Sequence, residues 1–293
     1  MTPSIFINHY SENIAKEEVS FKHIVITRYW FPIAATRKDD GSCSDAEWFE
    51  RRYELFKTYC LPSVLGQSEQ EFIWIVYFDE SAPYESVKQV KELLSAYPHF
   101  HVRTLSAFKS SVIRDDLANF THGFEYLLTT RLDNDDGLHR EFIKRLHDAI
   151  RPGGREFLNF PVGLIACGER IYLYRHRSNA FISFFEPVEG ALTVFCAPHE
   201  QLCYWAPIRQ LEAWPSFLQV VHGTNLSNKP RGIRVHRTLA LTGFEAIPNL
   251  FSFPMDESDA GITFENATMG LIWALRDRVL NVAKALLLKR RST

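Results

Sequence analysis

The chain has 293 residues, of which 46% are apolar and 23% are charged. This composition is typical of a globular protein that can bury a sizeable core, in one large domain or two small ones. A net charge of −2 argues against bulk nucleic-acid binding. The five cysteines are odd in number and include no C-x-x-C pair, so neither a disulfide framework nor a zinc site is indicated.

The N-terminal composition favours a cytoplasmic protein. Residues 1–20 carry polar and acidic groups and no continuous apolar region, so we expect a loosely attached arm and no signal peptide. No stretch of the chain approaches the roughly 20 apolar residues that a membrane-spanning helix needs. Reduced cysteines are typical of the same compartment.

Apolar runs and helical segments alternate along the first half of the chain. The predicted strands are Lys22–Thr27, Phe72–Phe78, Phe100–Leu105 and Tyr126–Leu132. The predicted helices are a segment opened by the capping box of Ser44 and Glu47 and ending near Cys60–Leu61 before Pro62, then Pro62–Leu65, Pro83–Tyr97 and a stretch around Asp115–Phe120. This order predicts an α/β fold with a parallel sheet.

Two of these strands lead into charged residues at the expected carboxyl edge of the sheet. Arg28 follows the first strand and could contact an anionic ligand or form a structural salt bridge. Asp79 ends the second strand and could hydrogen-bond a base or ribose, or cap the next helix together with Ser81. Ligands of open α/β sheets bind beyond this edge, so Arg28 and Asp79 are both candidate ligand contacts.

The fourth strand runs into the sequence LDNDDG, which contains Asp133, Asp135 and Asp136. Three carboxylates in four positions repel one another, and a divalent cation with oxygen ligands would cancel that repulsion. The alternative is a solvated turn before a predicted helix over His139–Ile150. An EF-hand loop is excluded because Leu138 stands where that loop needs glycine.

The second half is predicted to contain short strands after a break at 151–154. These strands are Phe157–Phe160, Val162–Ile165, Arg170–Tyr174 and Leu192–Cys196. We treat residues 20–230 as one domain, followed by a C-terminal extension over 231–293. An amphipathic helix with a basic end is predicted over Glu265–Lys289. It could dock on its own domain, pair with a second subunit or lie on an anionic membrane surface.

The order of these features resembles the inverting nucleotide-sugar glycosyltransferases of the GT-A type. The segment PSVLGQSEQEFIWIVYFDE resembles the helix, turn and strand that end in their base-recognising Asp, and TTRLDNDD resembles their D-x-D motif. The chain to about Asn228, including SFFEP, APHEQ and WPSFLQVVHGTNLSN, is similar to a bacterial rhamnosyltransferase family. The resemblance implies a GT-A-like, Rossmann-like fold, with a mostly parallel central sheet flanked by helices and a C-terminal helical extension.

The resemblance also implies roles for individual residues. Asp79 would contact the nucleotide base, and Arg114 would contact the base or a phosphate. Asp133 would face the ribose or a metal-bound water. Asp135 would be the main ligand of Mn²⁺ or Mg²⁺, a Lewis acid that stabilises the leaving diphosphate, and Asp136 would orient it or add a second contact.

Inversion further requires a general base near the acceptor hydroxyl. The candidates are Glu186, which follows an aromatic run, and Glu200 in the APHEQ segment. His222 follows an apolar run and could be a further metal or diphosphate ligand, or a structural residue. Trp205 and Trp214 could stack on a sugar, although core packing is the favoured interpretation of each.

The sequence therefore predicts metal-dependent, inverting transfer of a sugar, with rhamnose expected from the resemblance alone. The donor would be a nucleoside diphosphate sugar such as dTDP-rhamnose, and the acceptor a glycan or a lipid-linked saccharide. The C-terminal helix could give peripheral contact with the inner face of a membrane. No P-loop, dinucleotide fingerprint or nucleophile elbow is present. A catalytically silent sugar-nucleotide or glycan-binding protein and a metal-dependent sugar-nucleotide hydrolase stay open as alternatives.

Overall fold

The computed structural model describes residues 19–31, 45–211, 214–222, 230–253 and 258–268. The larger of its two sheets contains β1 (Phe21–Trp30), β2 (Ile73–Asp79), β3 (Phe100–Leu105), β4 (Tyr126–Arg131), β6 (Glu156–Asn159), β9 (Ser183–Pro187) and β10 (Ile208–Gln210). The smaller sheet contains β5 (Gly137–Leu138), β7 (Val162–Cys167), β8 (Arg170–Arg175), β11 (Phe217–Val221) and β12 (Ile233–Val235). The helices are α1 (Asp45–Leu55), α2 (Leu61–Leu65), α3 (Tyr84–Leu94), α4 (Ser110–Thr121), α5 (Phe142–Ala149) and α6 (Arg237–Ala240).

The larger sheet has the strand order β10-β6-β9-β4-β1-β2-β3. Strands β4, β1, β2 and β3 are parallel neighbours, and β9 runs antiparallel to both β4 and β6. The prediction of a mostly parallel α/β sheet is therefore confirmed. The chain moves outward from β1 to β2 and β3 and then returns to place β4 on the other side of β1. This reversal is a topological switch point, and ligands of such sheets bind beyond the strand ends there.

The helical segment before β2 passes Pro62 without ending. Helix α1 continues through a π-helical turn at Phe56–Cys60 into α2, where Pro62 lies at the start of the helix. Proline lacks an N–H and crowds the carbonyl of the previous turn, and a wider turn accommodates both effects. The predicted end at Cys60–Leu61 is thus a change of helix type.

Aromatic residues make up 14% of the chain, and their side chains fill much of the core. The Tyr29 and Phe78 rings stack at 4.6 Å between centroids, and those of Phe157 and Phe184 stack at 4.0 Å. The indole N–H of the fully buried Trp74 donates to the Thr27 hydroxyl at 2.9 Å. Each stacked pair of aromatic rings stabilises the fold by about 0.5–1.5 kcal/mol beyond the burial of its apolar area.

The smaller sheet carries the described part of the predicted C-terminal extension. Strand β12 pairs with β8, and four buried residues of the following segment pack on this sheet, namely Leu241, Phe244, Ile247 and Leu250. The predicted boundary at 230 thus lies between β11 and β12, two strands of one sheet. Residues 259–268 are helical, and Glu265 binds Tyr172 and Arg234 at 2.6 Å each. The rest of the predicted Glu265–Lys289 helix lies outside the described residues, as does the N-terminal arm up to residue 18.

The strand predicted over Leu192–Cys196 is wrong. The backbone N–H groups of Leu192 and Thr193 donate to the Glu186 carboxylate at 2.9 and 2.7 Å, and that of Val194 donates to the Thr129 hydroxyl at 2.8 Å. Side chains therefore use the donors that a strand would offer to a neighbouring strand. Thr193 also has a φ of 62°, which a β-strand does not allow. The strand in this region is β9, which contains Glu186.

Candidate active site

The three predicted aspartates lie in one loop, 132–136, which we call the acidic loop. It follows β4 at the switch point beside β1, where the Leu132 N–H donates to the Ile26 carbonyl at 3.1 Å. The loop closes as a turn in which the Asp136 N–H approaches the Asp133 carbonyl at 3.3 Å. The loop therefore occupies the edge at which an open α/β sheet binds its ligands.

Asp135 is held by two cationic or hydrogen-bonding side chains from distant parts of the chain. Its Oδ2 atom lies 2.5 Å from Nη1 of Arg52 and 2.8 Å from Nε2 of His222. The Asp135 side chain is only 7% exposed, and that of Arg52 is 14% exposed. The structure thus brings together Asp135 and His222, which the sequence analysis singled out as metal ligands 87 residues apart.

Arg52 is the residue of this site that sequence reasoning missed. It lies in the last turn of α1, and its guanidinium lies 5.2 Å from the ring of Trp48 one turn earlier. Trp48, Phe49 and Tyr53 form the inward side of this helix, and Arg52 shares their helical spacing. A cation on an otherwise apolar helix face was the available signal.

Burial acts differently on the two neighbouring carboxyl groups of the acidic loop. For Asp135, burial alone would raise the pKa, but Arg52 and His222 together hold the pKa below its ordinary value. For Asp136, burial and the charges of Asp135 and Asp133 raise the pKa well above its ordinary value. Asp136 Oδ1 accepts the N–H of Val220 at 2.8 Å and thereby fastens the acidic loop to β11.

Asp133 lies among two arginines at the strand ends. Nη2 of Arg131 lies 3.2 Å from its Oδ2. Burial lowers the pKa of the nearby Arg28, on which the charges of Asp133 and Arg131 act in opposite directions. Arg28 lies 5.6 Å from the Phe108 ring, and Arg131 lies 5.6 Å from the Phe195 ring. Two guanidinium groups around one carboxylate leave local positive charge, which suits an anionic ligand.

The acidic loop fits a divalent cation in part. Asp135 and His222 offer the oxygen and nitrogen ligands that such an ion uses, and their Oδ2 and Nε2 atoms are now 2.8 Å apart in a hydrogen bond that an ion would replace. Within the described ranges, no group of three or more His, Cys, Asp or Glu side chains could hold a metal ion. Mg²⁺ commonly uses one or two carboxylates together with waters and substrate phosphates, so a donor diphosphate would have to complete such a site.

The other two predicted donor contacts lie outside this cluster. Asp79 ends β2 at the same edge of the sheet, and its Oδ1 accepts the Ser81 N–H at 2.9 Å within a local turn. It does not cap the next helix, because α3 begins at Tyr84 after its N-cap residue Pro83. Arg114 lies on α4 and contacts the neighbouring Asp115, with Nη2 at 2.9 Å from Oδ1. Both residues keep their proposed donor roles as predictions only.

The two predicted base candidates have very different surroundings. Glu186 pairs with Leu127 at the opposite end of β4 from the acidic loop, and its fully buried carboxylate accepts the N–H groups of Leu192 and Thr193. Burial raises its pKa to about 7, against the effect of these hydrogen bonds and of Arg155. Glu200 is 64% exposed and lines a cavity beside the acidic loop. The structure thus places Glu200, and not Glu186, on the side of the candidate active site.

Trp205 and Trp214 are exposed at the surface. Their relative exposures are 53% and 58%, so the prediction that each packs in the core is wrong. Trp205 directly follows the 3-10 helix His199–Tyr204, which also carries Glu200. Both indole rings are accessible to a ligand. Among the described residues, no helix has the length and hydropathy that a membrane span requires.

A family model described as “Putative rhamnosyl transferase” matches residues 35–234, which is more than half of the chain. No match among curated proteins was found. The matched range begins after β1 and contains β2, β3, β4, the acidic loop and the smaller sheet as far as Arg234 in β12.

Several solved structures are similar to the chain at low sequence identity. S. aureus TarS 1–349 in complex with UDP-GlcNAc gives a TM-score of 0.44 at 12% identity, over 82% of this chain and 69% of that chain. The TarS 1–349 complex with UDP gives 0.41 at 13% identity, over 82% and 68%. The inositol-1-phosphate CTP transferase from T. maritima gives 0.34 at 9% identity, over 68% and 84%. At these TM-scores the similarity carries no argument about the site.

Proposed function

The chain belongs to the family described as “Putative rhamnosyl transferase” and is a glycosyltransferase, and from this premise we propose that it takes its sugar from a nucleoside diphosphate donor. The observation that carries the proposal is the acidic loop at the switch point between β1 and β4, where Asp135 meets Arg52 and His222. The family description supports rhamnose as the sugar, which makes dTDP-rhamnose the first donor to test.

Arginines around the acidic loop would hold the diphosphate. Arg28 and Arg131 flank Asp133, and guanidinium groups bind phosphate oxygens through two parallel hydrogen bonds. The Nε atoms of Arg52 and Arg131 are buried and have no hydrogen-bond partner among the described residues. A phosphate oxygen at this edge would satisfy donors that are costly to leave unpaired. Asp79, at the end of β2, would contact the base from the same edge.

Asp135 and His222 would hold a divalent ion, Mn²⁺ or Mg²⁺, together with the donor diphosphate. Such an ion stabilises the negative charge that develops on the leaving nucleoside diphosphate. Asp133 would orient the donor through the ribose or a bound water. Asp136 would keep the loop in place through Val220. Attack by an acceptor hydroxyl from the side opposite the leaving group would then invert the anomeric carbon.

The test is a thermal-shift screen of dTDP, UDP and GDP, each with Mn²⁺ and with EDTA, on wild type and Asp135→Ala. A ligand that binds only the native state stabilises it by mass action and so raises the melting temperature. At a ligand concentration of about one hundred times Kd, the unfolding free energy increases by about 2.7 kcal/mol. We expect one nucleotide to act in the presence of Mn²⁺ and to lose its effect in Asp135→Ala.

The exposed Asp148→Ala variant is the matched control, because its carboxylate contacts Lys144 on α5 and lies outside the acidic cluster. It should lose much less of the nucleotide effect than Asp135→Ala does. If no nucleotide shifts the melting temperature of folded wild type, the donor site is wrong and the three acids are a turn. A shift that is unchanged by EDTA would keep the donor and remove the metal.

A further inference from the structure

A cavity of about 210 Å³ lies on the side of the acidic loop that carries the smaller sheet. Its lining includes Tyr174, His176, His199, Glu200, Gln219 and Arg231. Gln219 precedes Val220, which binds Asp136, and the Arg131 charge acts on His199, so the cavity adjoins the loop from two directions. This volume is large enough to accommodate one sugar ring.

The imidazole of His199 is fixed in one tautomer. Its Nδ1 atom lies 3.0 Å from the Ser178 carbonyl oxygen, which can only accept a hydrogen bond. The neutral ring therefore carries its proton on Nδ1 and a lone pair on Nε2. The Ser178 hydroxyl donates in return to the His199 carbonyl, so the backbone and the ring are held from the same residue.

His176 has the opposite tautomer in the same cavity. Its Nδ1 atom accepts the Ser178 N–H at 3.2 Å, which leaves the proton of the neutral ring on Nε2. The His176 and His199 rings are nearly perpendicular, with centroids 6.1 Å apart. The cavity is thus lined by one imidazole that can accept and one that can donate, a combination that suits a ligand rich in hydroxyl groups.

The charges around His199 favour its neutral form before reaction. Burial and then Arg131 lower its pKa, with His176 acting in the same direction, whereas Glu200 and the hydrogen bond to Ser178 raise it. A neutral imidazole can take up a proton at neutral pH. Glu200 Oε1 lies 3.3 Å from Nε2 and would stabilise the imidazolium once it forms. Because Glu200 is largely exposed, it can move as an acceptor enters.

We propose that this cavity binds the acceptor as a saccharide and that Nε2 of His199 removes the proton from its attacking hydroxyl. The acceptor oxygen forms a bond to the anomeric carbon as its proton passes to Nε2. The bond from that carbon to the diphosphate oxygen breaks, and its electron pair leaves with the diphosphate. Glu200 is a positioning residue in this step. The inference rests on the proposed function, since it needs a nucleotide-sugar donor at the acidic loop.

The variants His199→Gln and Glu200→Gln test this assignment, with the exposed His122→Gln at the end of α4 as a matched control. Release of nucleoside diphosphate from dTDP-rhamnose is measured with water and with a panel of methyl glycosides as acceptors. We expect His199→Gln to reduce release by about 10²–10⁴-fold, the usual contribution of a general base. Its nucleotide-induced rise in melting temperature should equal that of wild type and of His122→Gln.

The pH profile separates a base from a structural histidine. Activity should rise with pH through the pKa of His199, because the reaction needs its neutral form. Glu200 raises that pKa, so Glu200→Gln should move the acidic limb of kcat/KM to lower pH. NMR of the imidazole nitrogens should find the His199 proton on Nδ1 in the protein without ligands.

The outcomes separate the two proposals. Release by His199→Gln close to the wild-type rate, or a His199 proton on Nε2, would overturn the assignment while leaving the donor site intact. The absence of any nucleotide effect on wild type would instead remove the donor site. If wild type binds nucleotide but no methyl glycoside stimulates release, the assignment of this cavity to a saccharide acceptor is overturned.

Discussion

Asp135 and Glu186 are both buried carboxylates, and they lie at opposite ends of β4. Asp135 is bound by the side chains of Arg52 and His222, whereas Glu186 is bound mainly by two backbone N–H groups. Side-chain partners can rotate away and leave the carboxylate to a ligand, but backbone partners stay with the fold. Whether a buried acid can serve as a binding site therefore depends more on the type of its hydrogen-bond partners than on how deeply it is buried.

The two pKa shifts express the same contrast. The pKa of Asp135 is lowered because Arg52 and His222 outweigh the effect of burial. The pKa of Glu186 is raised to about 7 because burial outweighs its two N–H donors and Arg155. A perturbed pKa alone would have favoured Glu186 as the functional group. Its position, far along β4 from the acidic loop, argues for the structural role.

The largest expected effect is on catalysis, where substitutions of Asp135 and Glu186 should have very different consequences. Asp135→Asn should reduce nucleoside diphosphate release by more than about 100-fold, because in the proposed function this carboxylate binds the metal ion directly, and even outer-shell contacts are worth about 10–100-fold. Glu186→Gln should turn over near the wild-type rate under conditions in which it is folded. Both changes replace a buried carboxyl group with an amide of the same size, so each controls for the other. If Glu186→Gln were inactive but as stable as wild type, the general base would be Glu186 instead.

The next largest effect is on the pH dependence of the unfolding free energy, which should differ between the two carboxyl groups. The folded pKa of Glu186 is raised from 4.5 to about 7, so its contribution is complete below pH 4.5 and is lost as the pH rises through 7. The unfolding free energy of wild type relative to Glu186→Gln should therefore fall by about 3 kcal/mol between pH 4.5 and 7. Urea unfolding at a series of pH values measures this difference.

Asp135 should give the opposite dependence. Its folded pKa is lowered, so its contribution is present above the ordinary aspartate value of 3.8 and is lost as the pH falls below it. The wild-type advantage over Asp135→Asn should thus shrink in acid. Parallel pH dependences for the two variants would contradict the contrast between the two sites.

Local patterns in the sequence were sufficient to predict much of the fold. The four parallel strands are apolar runs, and β2 ends at Asp79 and β4 directly before the acidic loop, as predicted. The first strand continues past its predicted end at Thr27 to Trp30, so Arg28 lies within β1. Strand β3 has the predicted bounds, Phe100–Leu105. These elements were predictable because strand formation and the position of strand ends depend on nearby residues.

Long-range side-chain contacts were not predictable in the same way. Leu192–Cys196 has the apolar composition of a strand, but Glu186 and Thr129 bind its backbone N–H groups. Arg52 reaches Asp135 across 83 positions, and nothing near either residue specifies that pairing. The placement of His199 in a cavity beside the acidic loop depends on how the two sheets are joined. Such features become visible only when the topology is known.

The smallest expected effect tests whether the side-chain partners of Asp135 are replaceable. Arg52→Gln should lower the unfolding free energy in EDTA by about 1–2 kcal/mol, because it removes a charged hydrogen bond. Mn²⁺ should then raise the melting temperature of Arg52→Gln more than that of wild type, since the ion no longer meets the guanidinium at Oδ2 of Asp135.

Arg209→Gln is the matched control, because Arg209 forms a comparable pair with Glu156 on β6. It should lose similar stability without gaining a response to Mn²⁺. Equal responses of all three proteins to Mn²⁺ would mean that Arg52 is a permanent partner of Asp135, and the difference between Asp135 and Glu186 would then be one of charge only.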